Sequence, residues 1–399
     1  MKVIFMQLHK TLFVVLVFAA FLSGCSLLLK NEDVVTMSPL PKVKNQFTPN
    51  KIWSTSIGDG TSKSYSHLRP SYQKNTIFAA DHYGIVKALN AISGIEKWKV
   101  DLSKHTNFSL SGLSTALLLG NLVASGDKIY ISSEKAVVYA LNTSDGSVAW
   151  ISRVAGEAIS CPVISNGMVF IHTSNGNLQA LNASNGKVRW TINLDMPFLS
   201  LRGESAPAVA FGVIIIGDDN GYVNAILMET GQLIWRQRIS QPSSSDQIAH
   251  LNDVDTTPVI IEDIVYALGY NGNLTALDLR SGRIIFQRKL SSVHDFIVNA
   301  GYIYLVDQHD RLLALNAKSG VTIWIQNDLL YRKLTPPVMF HGYLLTGDAK
   351  GYLHWVDPAS GRFIAQQLVD KSGFLSTPLV AGDKLFIQAR SGKVHALTG

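Results

Sequence analysis

The sequence predicts an all-β fold: an eight-bladed β-propeller with four antiparallel strands per blade, closed by an N-terminal strand. Three observations predict it. A motif of Ala-Leu-Asn/Asp, three residues, Gly, three residues, Trp recurs along the chain, first as Ala88-Leu89-Asn90…Gly94…Trp98 and sixth as Ala314-Leu315-Asn316…Gly320…Trp324. Between the copies lie short alternating stretches such as Gly301-Tyr302-Ile303-Tyr304-Leu305, bounded by Asn-Gly, Asp-Gly and Ser-Gly pairs, which is the pattern of antiparallel hairpins. Ahead of the first copy, Lys51-Ile52-Trp53 matches Glu96-Lys97-Trp98 inside it.

The motif positions in order are Ala88, Ala140, Ala180, Ala225, Ala276, Ala314, Trp355 and Ala396. Their spacing gives a basic unit of about 40 residues, and four short strands in that length fit a propeller blade better than a helical solenoid. Several units begin on a Ser/Thr-Pro entry, as in Ser205-Ala206-Pro207, Thr256-Thr257-Pro258 and Ser376-Thr377-Pro378. Three units depart from the pattern. Phe286 and Ala365 stand where the others have Trp, Trp355 stands where they have Ala, and Ile226-Leu227 replaces Leu-Asn. The eighth copy, Gly392…Ala396-Leu397, stops at Gly399 before its last strand. The segment around Trp53 is therefore expected to supply that strand, so that no sheet edge stays open. The six tryptophans at the motif position read as packing between blades.

Ahead of the propeller, Lys2 and Lys10 precede an apolar run, Thr11 to Leu22, that is followed by Ser23-Gly24-Cys25. This is the layout of a secretory signal peptide, and the run is short of the ~20 residues of a membrane span. Leu22-Ser23-Gly24-Cys25 resembles a bacterial lipobox, which implies lipidation of Cys25; Ser26 in the next position, in place of Asp, implies an outer-membrane anchor. Residues 26–49 carry three prolines, mixed charge and no sustained period, the composition of a tether. The expected organisation is a lipoprotein signal peptide at 1–24, a lipidated cysteine and flexible tether at 25–50, and one propeller at 51–399.

Composition excludes several functions. The 399 residues are only 16% charged, with a formal net charge of +6 that falls to +4 when Lys2 and Lys10 leave with a leader. This is too small and too scattered for nucleic-acid binding. Two cysteines, Cys25 and Cys161, exclude a disulfide framework and Cys-rich metal sites; Cys161, in an apolar run, reads as a small buried hydrophobe. None of the eleven histidines has zinc-site spacing. No nucleophile elbow and no phosphate-binding loop occur. Asp218-Asp219-Asn220-Gly221 begins like a calcium loop, but the glycine comes too early and no closing Glu follows. It reads as a blade turn. No residue is assigned to catalysis, a cofactor or a metal.

Function is sought where units lengthen, because loops on a rigid scaffold carry binding residues. Three connections exceed the basic unit, at residues about 99–120, 191–204 and 236–254. In a four-stranded blade each connection lies on the face of the second-to-third strand turn, so all three share one face. The middle connection contains Met196-Pro197-Phe198-Leu199-Ser200-Leu201-Arg202-Gly203-Glu204, and the next ends in Leu251-Asn252-Asp253-Val254-Asp255. Exposed Phe198, Leu199 and Leu201 call for a partner. Asp253 and Asp255 are placed to face Arg202, either as an internal clamp or as part of a partner-binding patch. The two roles are compatible.

The repeat units resemble the tryptophan-docking blades of quinoprotein-like eight-bladed propellers over nearly the whole mature chain. Within that group, the lipobox, Leu199-Ser200-Leu201-Arg202-Gly203-Glu204-Ser205-Ala206-Pro207, Asp253-Val254-Asp255-Thr256-Thr257-Pro258 and the run Asn271 to Gly282 are similar to the BamB family, propeller lipoproteins of the outer-membrane β-barrel assembly machinery. The resemblance implies a non-catalytic scaffold on the periplasmic face of the outer membrane. It implies binding to the periplasmic domains of BamA, contact with the other subunits through it, and unfolded outer-membrane proteins as a further partner class. Carried over residue by residue, the partner contacts are Leu199, Leu201, Arg202, Asp253 and Asp255. A pyrroloquinoline-quinone dehydrogenase would share the blades, but this chain lacks an adjacent Cys-Cys pair and a convincing calcium loop. A periplasmic glycan binder using the propeller mouth is the other alternative.

Overall fold

A computed structural model describes residues 36–61, 68–105, 115–197, 203, 205–240 and 252–399. Among the described residues there are thirty-two strands and one 3-10 turn, Leu102–His105. The strands form eight four-stranded antiparallel sheets, each meandering from an inner strand of three residues to a longer outer strand. This is the eight-bladed propeller. The second and third strands of each blade are almost wholly buried, while the outer strand alternates between buried or half-buried and exposed positions. Apolar clusters accordingly form between neighbouring blades.

The motif explains itself in the packing. Asn90 Oδ1 accepts the amides of Ile92 and Ser93, the side-chain turn that lets the chain reverse after the third strand. Ala88 pairs with Trp98 across the last two strands, and a bulge follows at Ala88/Leu89. The small alanine leaves Trp98 free to lie over the next blade. There its Nε1 donates to Thr143 O at 3.0 Å, and its ring covers Gly146, where a Cβ would come within 2.6 Å of it. Glycine at that position is a requirement of close approach as well as of its positive φ of 74°. Trp53, Trp150, Trp190, Trp235 and Trp324 make the same donation to the following blade.

The N-terminal strand Asn50–Ser56 pairs with Lys393–Thr398 and completes blade eight. Trp53 then docks on blade one, donating to Ala91 O. Blade seven is the exception. Trp355 and Ala365 face each other in register, so the Ala/Trp pair is transposed: the indole is fully buried in the cluster shared with blade eight, and no outer-strand tryptophan docks across that seam. Phe47 occupies it, stacked on Tyr343 at 5.4 Å and edge-on to Trp355 at 6.0 Å. From Ser38 the stretch expected as tether is thus packed on the ring, and the compact unit runs from Ser38 to Gly399. Cys25 lies outside the described residues. Cys161 is not part of the core but half-buried; desolvation among its neighbours pushes its thiol up to about 12, against the opposing pull of Arg69.

Candidate docking site

Blade four presents the turn Asp218-Asp219-Asn220-Gly221 between its second and third strands. Asp218 Oδ1 accepts the amides of Asn220 and Tyr222, which makes the segment the tight turn expected of it. Its other oxygen accepts Asn224 Nδ2 and pairs with Arg236 of the outer strand, both at 3.0 Å. Arg236 also pairs with Asp195 at 3.0 Å and lies 3.9 Å over the Tyr222 ring. Asn220 Nδ2 donates to Asp195 O. The start of the three-to-four connection is thereby fastened to the blade-four turn.

The four-to-five connection returns to the same turn from the other side. Val254 N donates to Asp218 O at 3.1 Å, and Tyr270 N donates to Asp253 O at 2.8 Å. Ser205 closes the frame: its hydroxyl donates to Thr256 O and accepts Gly217 N, while its carbonyl meets His172 Nδ1 of blade three at 3.2 Å. The two long connections therefore converge on one face, over blades four and five, as the length argument expects.

Asp253 is fully buried and Asp219 nearly so, whereas Asp255 keeps partial exposure. Asp255 Oδ1 has no hydrogen-bond partner among the described residues. Burial first, and the Asp253 and Asp219 carboxylates second, hold the Asp255 carboxyl well above the usual carboxylate range. Gly203 sits directly on it, since a Cβ there would come within 2.5 Å of Asp255 Oδ2. This is an electronegative floor beneath the connection that bears Arg202. Leu199, Leu201 and Arg202 themselves lie outside the described residues. Sequence reasoning read Asp218 and Asp219 only as a blade turn and passed over Arg236, because cations recur on the outer strands of six blades. Beneath the site, His172 is buried, and desolvation drives its pKa down to about 4 against the raising effect of Ser205 O.

The profile of the family described as "Outer membrane protein assembly factor BamB" matches residues 82–326. The protein of that name from Yersinia pestis is 63% identical over 393 residues, 98% of this chain and all of the relative. The chain belongs to the BamB family. The BamB of Escherichia coli K12 is 58% identical over the same share of both chains. The crystal structure of BamB from Moraxella catarrhalis superposes with a TM-score of 0.78 at 24% identity, covering 88% of this chain and 100% of that one. A europium-containing methanol dehydrogenase superposes with a TM-score of 0.70 at 12% identity, covering 89% and 95%. The last two likenesses concern the fold alone.

Proposed function

We propose that this chain is a non-catalytic scaffold lipoprotein of the machinery that assembles β-barrel proteins in the outer membrane. It docks on the periplasmic domains of BamA through the face over blades four and five. The observation that supports this most is its 63% identity, over 98% of its length, to an outer membrane protein assembly factor. The site chemistry agrees: carboxylates gathered at one rim suit recognition of a basic, partly apolar protein surface. Leu199 and Leu201 supply the apolar centre of the contact, and Arg202 with Asp253 and Asp255 its charged part. Cys25 carries the lipid that holds the propeller at the periplasmic face of the membrane.

Affinity purification of the lipidated chain from detergent-solubilised outer membrane tests the partner; recovery without BamA would overturn the reading. Cys25→Ser should release the chain from the membrane fraction in cells depleted of BamA without lowering its melting temperature. A variant still sedimenting with membranes there would remove the lipid anchor from the proposal.

A further inference from the structure

Residues Ser38–Phe47 have the proline content of a linker, yet they make a continuous set of contacts. Ser38 donates its amide to Leu330 O at 2.9 Å and its hydroxyl to Asp328 O at 3.0 Å, while Arg332 donates to Ser38 O at 3.0 Å. Arg332 is itself buried, 2.7 Å from the Asp348 carboxylate, which also meets His354 at 3.1 Å. Farther along, Gln366 Nε2 donates to Pro41 O at 2.8 Å. Asn45 then pairs with the Gln366 backbone in both directions, donating at 3.0 Å and accepting at 2.9 Å. Gln46 N donates to Ile364 O at 3.0 Å. The segment ends at Phe47, in the apolar cluster that blades seven and eight share.

The location is specific. An outer strand exposes unpaired backbone groups, and folded proteins guard such edges with charged side chains or cover them. Outer strands of six blades carry charge, for example Glu96–Asp101, Val188–Asn193 and Leu233–Arg238. Two do not: Thr322–Gln326 of blade six and Phe363–Leu368 of blade seven. The segment lies between those two, starting at the end of the first and hydrogen-bonded along the second. It also fills the seam that the Trp355/Ala365 transposition leaves without a docking indole.

We infer that residues Ser38–Phe47 are a clasp, a resident cover of the outer edge of blade seven whose Phe47 stands in for an outer-strand tryptophan, so that the ring is closed a second time at the seam between blades seven and eight. The membrane tether then ends at residue 37 rather than at residue 50. The outer edge of blade seven is a groove whose occupant is this chain's own N-terminal segment.

The test uses the full mature chain. Asn45→Ala removes the acceptor of the Gln366 amide, and hydrogen exchange at Gln366 should accelerate at least tenfold. Phe47→Ala should lower the melting temperature by at least 5 °C and accelerate exchange across Phe363–Leu368 and at Tyr343. It should also promote self-association, seen by size-exclusion chromatography, because an uncharged edge is uncovered. Deleting residues 26–36 should change none of these. If Phe47→Ala does not fold, Phe47→Leu, which keeps an apolar plug, provides the exchange measurement with a smaller shift in the same direction. Parental exchange in both the Asn45 and Phe47 variants would overturn the clasp, as would a 26–36 deletion that reproduces the Phe47→Ala effect.

Discussion

Two regions of the ring depart from the repeat, and they depart in opposite ways. At the seam of blades seven and eight a tryptophan is transposed, and the lost contact is restored by Phe47 and by the hydrogen bonds of the Asn45 side chain to the Gln366 backbone. At the rim of blades four and five chain is added, and it brings carboxylates into a buried setting where Asp255 Oδ1 has no partner among the described residues. The first departure leaves packing intact. The second accepts a penalty, since burying a carboxylate disfavours its charged form. Both irregularities leave a buried polar atom without a partner among the described residues, Trp355 Nε1 at the seam and Asp255 Oδ1 at the rim, but only the rim atom belongs to an ionisable group, and the proposed docking face lies there.

The largest expected effect breaks the closure side of this contrast. Deleting Asn50–Ser56 removes the outer strand of blade eight and the Trp53 dock on blade one. Loss of one large aromatic from a packed site costs about 3–5 kcal/mol, against a total stability of about 5–15 kcal/mol, and an open edge is added to it. The variant should be aggregated or melt far below the parent in a thermal scan; an unchanged melting curve would refute closure by this strand.

A smaller effect probes the floor of the rim. His172 is buried with its folded pKa near 4, below the ordinary value of 6.5. A depressed histidine stabilises the fold above its unfolded pKa, and that contribution is lost as pH falls from about 6.5 toward 4. The shift corresponds to about 3 kcal/mol at about 1.4 kcal/mol per unit. Urea unfolding of the parent should therefore lose stability over that window, and His172→Gln should lose about 3 kcal/mol less. Parallel pH profiles would show that His172 titrates normally.

The smallest effect is the most discriminating. The Asp255 carboxyl is raised, so the fold favours its protonated form, and its ionisation opposes stability as pH rises above the unfolded value. Asp255→Asn should make the chain equally stable at pH 3 and slightly more stable at pH 7, while weakening partner binding. A substitution that stabilises the fold and harms binding is the signature of a functional rim. If it destabilises at pH 7, the carboxylate belongs to an internal clamp instead. Asp253, fully buried, is different: its removal disturbs the blade-four frame as well as the site, so it separates the two roles poorly.

The blade count and the closing strand were legible in the sequence because one pair, Ala with Trp, repeats at fixed spacing and has one structural use. The transposed pair at Trp355 and Ala365 was legible as a departure, but not its remedy. Asn45 and Phe47 act through isolated contacts in a proline-bearing stretch without period, which carries no strand signal. At the rim, connection length pointed to two insertions on one face, and their described ends do meet at the blade-four turn. The burial of Asp253 was not legible, since an aspartate in an insertion looks like a solvated loop residue until Val254 and Tyr270 are seen to tie it down.

Calorimetric titration of the mature chain with the periplasmic domains of BamA tests the docking face most directly. Leu199→Ala, Arg202→Ala and Asp255→Asn should each weaken binding tenfold or more, the ~1.4 kcal/mol or greater expected of interface anchors, with melting temperatures at or above the parent's. The Arg202 and Asp255 effects should be less than additive in the double variant, because the guanidinium and the carboxylate serve one charged patch. Parental affinity in all three single variants, with the fold intact, would contradict docking through blades four and five.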